Sequence, residues 1–116
     1  MRGFRGMRPS SPGAVIDAVA DVPAAVDVPG WSARFDLISD PTRLTLLLCL
    51  HFSPGLSVTR LAAAAGVPQT VVSQSLRPLR NREWAVVEKV GREHRYRLVD
   101  ESLHTLLHTI GAPHAH

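Results

Sequence analysis

Two sets of residues in this 116-residue chain have types and spacings that could do chemistry. The first is Gln69, Thr70, Ser73, Gln74, Arg77 and Arg80, followed by Arg92, Arg95 and Arg97. Gln pairs bidentately with adenine, Arg with guanine, and Ser or Thr with bases or phosphates. The later arginines are expected to meet phosphate or a narrow minor groove rather than read sequence. The second set is Asp100, His104 and His108, at i, i+4 and i+8, with His114 and His116 beyond it. Residues four apart stack on one helix face, so two imidazoles and a carboxylate could share one ion. Nitrogen and oxygen donors without thiolate favour Ni, Zn or Co over Cu(I), with nickel first and zinc second among the candidates. The competing reading is a helix that carries surface histidines. His51 ends an apolar stripe and reads as a core histidine, and Cys49 as a small buried hydrophobe.

Charge separates these sets from the rest of the chain. Between residues 67 and 97 lie seven basic residues (Arg77, Arg80, Arg82, Lys89, Arg92, Arg95, Arg97) and three acidic ones (Glu83, Glu88, Glu93), leaving +4. The whole chain carries +3, so the remainder is −1. A local basic field on a near-neutral protein suits a polyanion-binding face. The single cysteine excludes an internal disulfide and any Cys-x-x-Cys metal or redox motif, and fits a cytoplasmic setting. The basic start, Met1 to Arg8, is followed by a stretch cut by Asp17, Asp21, Pro23, Asp27 and Pro29, so it does not read as a secretion signal. No apolar run reaches the length of a membrane span. Neither a Ser-His-Asp order nor a glycine-rich phosphate loop stands out, so an enzyme is not expected.

The elements that must position these residues follow from periodicity. Residues 1–12 read as a tail and 13–22 as a short helix stopped by Pro23 and Pro29. Trp31 to Ile38 forms the next helix, and Asp40-Pro41 opens another whose buried stripe is Leu44, Leu47, Leu48 and His51. Ser57 caps a helix with Val58, Leu61, Ala62 and Ala65 inside, and Gly66 turns the chain sharply. Pro68 opens a second helix with Val72, Leu76 and Leu79 inward and the polar set outward, which makes a helix-turn-helix over 57–82. After Trp84 the period becomes alternating, giving a hairpin over 85–98 with Gly91 at its turn, a basic tip and Tyr96 inward. Residues 100–110 form a last helix with Leu103, Leu106, Leu107 and Ile110 as its stripe, and 111–116 a histidine-bearing tail.

That order of elements, together with Asp40-Pro41-Thr42-Arg43-Leu44, Val71-Val72-Ser73-Gln74 followed by Leu76 and Leu79-Arg80, and Gly91-Arg92 leading to Tyr96-Arg97-Leu98, resembles the ArsR/SmtB family over residues 31–110. The resemblance implies a mainly α fold with a β-hairpin wing, a winged helix-turn-helix that pairs as a homodimer through its first and last helices. It also implies a repressor, often released from operator DNA by a metal ion. Two recognition helices about a two-fold axis would prefer an inverted repeat with half-site centres about 10 bp apart. The chain departs from the family at several points. Ser57 and Thr59 stand where a helix-borne thiolate site would place cysteines, Ser75 replaces a His, and Ser102 replaces the His of an Asp-x-His that begins at Asp100. Pro78 lies inside the recognition helix and is expected to kink or shorten it. A signal from a partner protein or non-metal ligand, and a dimerisation module without a DNA role, are the alternatives.

Overall fold

A computed structural model describes residues 20–111 of the chain. It divides into two units, residues 1–33 and 34–116. The expected tail over 1–12, most of the 13–22 helix, and His114 and His116 lie outside the described residues. Within the first unit, residues 20–25 are helical with Pro23 among them, so this proline does not stop the helix. Helix α1 (Val28–Ile38) starts three residues before Trp31. Asp27 caps it, with Oδ1 accepting from the Gly30 amide at 3.1 Å. Pro29 therefore falls in the first turn, where a missing N–H costs nothing.

In the second unit, α2 (Pro41–Phe52) begins with the expected cap, Asp40 accepting from the Arg43 amide at 2.8 Å, and Pro41 at the start. Its fully buried residues are Leu46, Leu47 and Leu50. Leu44, Leu48 and Cys49 are only partly buried and flank them. The expected stripe was thus rotated, because α2 is not a one-sided surface helix: it packs against four other elements and buries much of its girth. A two-residue strand, β1 (Leu56–Ser57), leads into α3 (Val58–Ala65). Ser57 is buried and works twice, ending the strand and accepting from the Arg60 amide at 3.2 Å as the cap of α3. Gly66 ends α3 in the left-handed region, φ +69°.

Helix α4 (Gln69–Asn81) buries Val72, Leu76 and Leu79 as its period requires. It runs through Pro78 without breaking, contrary to the expectation of a shortened helix. The proline ring removes the bond to the Gln74 carbonyl. One turn's worth of packing by Leu76 and Leu79, and an Arg43 Nε bond to the Ser75 carbonyl at 3.0 Å, hold the segment in place.

Strands β2 (Ala85–Val90) and β3 (Glu93–Leu98) form the wing, with Val87 opposite Tyr96 and Glu88 opposite Arg95. The turn is two residues, Gly91-Arg92, with Gly91 at φ +63°. Glu93, His94 and Arg95 therefore belong to a strand rather than to a polar tip. β1 adds to the other edge of β3, giving the order β1-β3-β2, which the sequence reading lacked because two residues carry no alternation to detect. Helix α5 (Glu101–Gly111) closes the unit with Leu103 and Leu107 buried against the core.

Replacing Gly66 by Ala should lower stability by about 1 kcal/mol, because a Cβ is strained at that φ although open space surrounds it. Urea unfolding at constant m-value measures the loss, and Gly66→Asn, which tolerates this region, should lose less.

Candidate nucleic-acid interface

The polar side of α4 is presented as its period requires. Gln69, Thr70, Gln74, Arg77 and Arg80 are exposed and Ser73 is half-buried. Gln69 Nε2 donates to Thr59 Oγ1 at 3.3 Å, linking the two helices of the turn on their outer side. Between α4 and the wing runs an open groove, lined from the helix by Gln69, Thr70, Ser73, Gln74 and Arg77 and from the strand by His94 and Tyr96. Strand alternation decides which wing residues share that side. Tyr96 is buried toward the core and His94 lies two residues before it, on the same face. Arg95 and Arg97 are on the opposite face, and Arg92 is in the turn.

Arg95 also has a local partner. Its Nε and Nη2 donate to Glu93 Oε1 at 3.0 and 2.8 Å, two residues along the same face. Both groups are well exposed, so the pair contributes little to stability and exchanges readily for another anion. The sequence reading missed His94, and the signal for it was the same alternation that placed Tyr96 inward.

A helix-turn-helix with an adjoining wing is a fold this chain shares with solved structures. No family model matches the chain. The HTH-type transcriptional regulator NmtR of Mycobacterium tuberculosis is 37% identical over 100 residues, covering 86% of this chain and 74% of that protein. Among solved structures, the AntR antimony-specific transcriptional repressor matches with a TM-score of 0.66 at 34% identity, covering 74% of this chain and 77% of that one. The homodimeric winged helix-turn-helix DNA-binding domain of Mb0332 from Mycobacterium bovis, described as a possible ArsR-family regulator, matches with a TM-score of 0.64 at 19% identity, over 80% of this chain and 85% of that one.

The chain belongs to the ArsR/SmtB family. It is a DNA-binding transcriptional regulator with the winged helix-turn-helix fold. Among its described residues no helix is long and apolar enough to cross a membrane.

The second set of residues is placed differently from expectation in this ArsR/SmtB regulator. Asp100 does not join the histidines. Both its oxygens receive Arg34, at 2.9 Å from Nε and 3.0 Å from Nη2, and Oδ2 also accepts from the Leu103 amide at 2.9 Å, capping α5. The Arg34 hydrogen bonds hold its carboxyl below the usual carboxylate range, with burial opposing and the Leu103 amide assisting. Arg34 in turn lies 4.6 Å above the Trp84 ring, and Arg82 lies 5.0 Å from the same ring. Asp100 is thereby committed to joining Arg34 to the start of α5.

His51, read from sequence as a core residue, is half-buried at the rim, and its neighbours are His104 and His108. His51 and His104 approach Nδ1 to Nδ1 at 2.7 Å, and His51 Nε2 is 3.4 Å from His108 Nδ1. His104 Nε2 lies 2.6 Å from the Leu98 carbonyl, which only accepts, so that nitrogen carries the hydrogen. With uncharged rings the direction follows: His108 donates to His51, His51 to His104, and His104 to Leu98. Burial first, then the His104 and His108 charges, push the His51 pKa down. Among the described residues no group of three or more His, Cys, Asp or Glu side chains is placed to hold a metal ion.

Arg34→Met should cost about 1.5–3 kcal/mol, since it strands a carboxylate that is mostly shielded from water. The folded-state pKa of Asp100 is lowered, so its contribution is complete above about pH 4 and is lost as pH falls through the depressed value. Urea titrations at pH 7 and pH 3 should therefore show the variant and the unmodified protein converging at the lower pH.

Proposed function

We propose that this regulator is a cytoplasmic homodimeric repressor that reads an inverted-repeat operator with α4 and releases or engages it in response to a divalent metal ion, nickel ahead of zinc. The observation that carries the DNA part is the groove that faces Gln69, Thr70, Ser73, Gln74 and Arg77 toward one ligand, with Arg80 extending it. Its base readers are Gln74 and Arg77, while Arg92, Arg95 and Arg97 supply phosphate contacts along the wing.

Support for dimerisation comes from α5. Leu103 and Leu107 are buried within the chain, which leaves Leu106 half-buried and Ile110 40% exposed along the flank of the same stripe. Phe52 and Phe35 add exposed apolar surface, more than a lone small domain needs to leave in water. A two-fold pairing would cover it.

Support for a metal comes from the donors on α5. His104 and His108 offer imidazole nitrogen, and the Leu98 carbonyl already fixes the orientation and tautomer of His104, as a carbonyl on the far nitrogen does for metal-bound histidines. Asp100 is left out as a ligand by its bonds to Arg34. His114 and His116 remain as donors from the tail. The similar protein AntR is an antimony-specific repressor; here the one cysteine, Cys49, cannot supply a thiolate set, so a nitrogen-preferring ion fits better.

Gel mobility shift with operator duplex, with and without nickel, tests the reading. Binding should be salt-dependent and should change at least several-fold on adding metal; a metal-free and metal-loaded protein with equal affinity would move the signal to a partner or another ligand. Gln74→Ala and Arg77→Ala should each cost roughly 1–3 kcal/mol at one base position, whereas Arg95→Ala should weaken all sequences alike. Leu106→Glu should give monomers by sedimentation at micromolar concentration, where the unmodified protein sediments as a dimer.

A further inference from the structure

Lys89 of β2 stands directly opposite His94 of β3, and Val87 stands opposite Tyr96. Strand alternation puts all four on one face of the wing, the face that Val87, His94 and Tyr96 turn toward α4. Tyr96 is buried, whereas Lys89 and His94 are exposed nearer the turn. Across the groove lie Arg77 and Arg80 of α4, and among the described residues no acidic side chain lines it.

The other face of the wing has a different composition. There Arg95 and Arg97 are matched in number by Glu88 and Glu93, with Glu88 opposite Arg95 and Glu93 ion-paired to Arg95 at 2.8 Å. Val86 and Val90, 37% and 40% exposed, complete that face. The side of the wing toward α4 is therefore basic without compensation, and the side away from it is balanced.

We propose that Lys89 and His94, with Arg77 across from them, seat one sugar-phosphate strand of the DNA, the strand between the major groove entered by α4 and the minor groove beside it. The inference rests on α4 reading the major groove, as proposed above, and names two wing residues outside the arginine set. A helix in one groove and a hairpin in the next must straddle that strand, because only the strand separates the two grooves. Side chains that face the space between helix and hairpin therefore face phosphate. Lys89 brings a full charge with three donors, and the His94 ring brings an N–H. Among the described residues neither side chain has a hydrogen bond or ion pair, whereas Arg95 must first leave Glu93. Arg92 at the turn, with Arg95 and Arg97 beyond it, is left for the strand on the far side of the minor groove. A strand held from both sides fixes how α4 sits over its base pairs, so the seat sets register as well as affinity.

The test uses the full chain and a duplex that the unmodified protein selects from a random pool, with single methylphosphonates stepped along each strand to remove one phosphate charge at a time. Lys89→Met should weaken binding about three- to ten-fold and lower the slope of log affinity against log salt by about 1, while Lys89→Arg keeps the slope. His94→Ala should weaken all sequences alike, and His94→Gln, which keeps a donor, should lose less. Both side chains are exposed, so melting temperatures should stay near that of the unmodified protein. At one methylphosphonate position, next to the base pair at which Arg77→Ala relaxes preference, Lys89→Met should cost nothing further while Arg95→Met still weakens binding. If Lys89→Met loses the same factor at every methylphosphonate position, its charge acts at a distance and the seat is refuted. If Gln74→Ala and Arg77→Ala change base preference while Lys89→Met and His94→Ala leave affinity and slope unchanged, the seat is refuted and the α4 reading stands. If none of these four variants alters binding, the seat and the α4 reading fall together.

Discussion

Leu46, Leu47 and Leu50 are wholly removed from water on a single helix, and that burial forces α2 to be surrounded. Each leucine contributes about 1.5–3 kcal/mol on leaving solvent, and no two faces of a helix can be satisfied by one neighbour. Helices α3, α4 and α5 and strand β3 all pack on α2 as a result. The position of the recognition helix and the position of the last helix are consequences of the same buried residues. A change that moves one against α2 will be felt by the other through a close-packed core that yields little.

Polar groups then decide how the elements lock around that core. Asp100 could have been a metal ligand, a helix cap or half of an ion pair. Its surroundings make it the last two at once, because a guanidinium with paired donors meets a carboxylate better than any single neighbour does. Both Arg34 and Arg82 lie over the Trp84 ring, so the junction at the start of the wing is held by charge as well as by apolar area. With the carboxylate occupied, the imidazoles of α5 turn to His51 instead.

The surface proposed to face DNA is organised by a different rule. Its side chains are exposed and make few bonds to the protein itself, apart from the Gln69 to Thr59 link and the Arg95 to Glu93 pair. Groups proposed to bind a polyanion are kept free of strong internal partners, and Glu93 tempers Arg95 only through a weak surface pair. Basic charge concentrated between residues 67 and 97 would supply the long-range attraction, and the contacts proposed here lie in the α4 groove.

Much of this was legible in the chain itself. The caps at Asp40 and Ser57, the left-handed Gly66, the inward Val72, Leu76 and Leu79, and the hairpin around Gly91 are local, set by dihedral preference and by periods of 3.6 and 2.0 that any stretch of sequence displays. The polar face of α4 followed from the same periodicity. What the chain could not display was anything depending on residues far apart along it. The buried residues of α2 do not form the stripe its sequence suggests because a helix buried on several sides has no single period to read, and Pro78 does not end α4 because tertiary packing overrides a local preference. The Arg34 to Asp100 pair joins residues 66 apart, and the His51 to His104 contact joins residues 53 apart. Those partnerships reassigned Asp100 and brought His51 out of the core reading, because which charge or ring a side chain meets is decided only when the core has folded the chain back on itself.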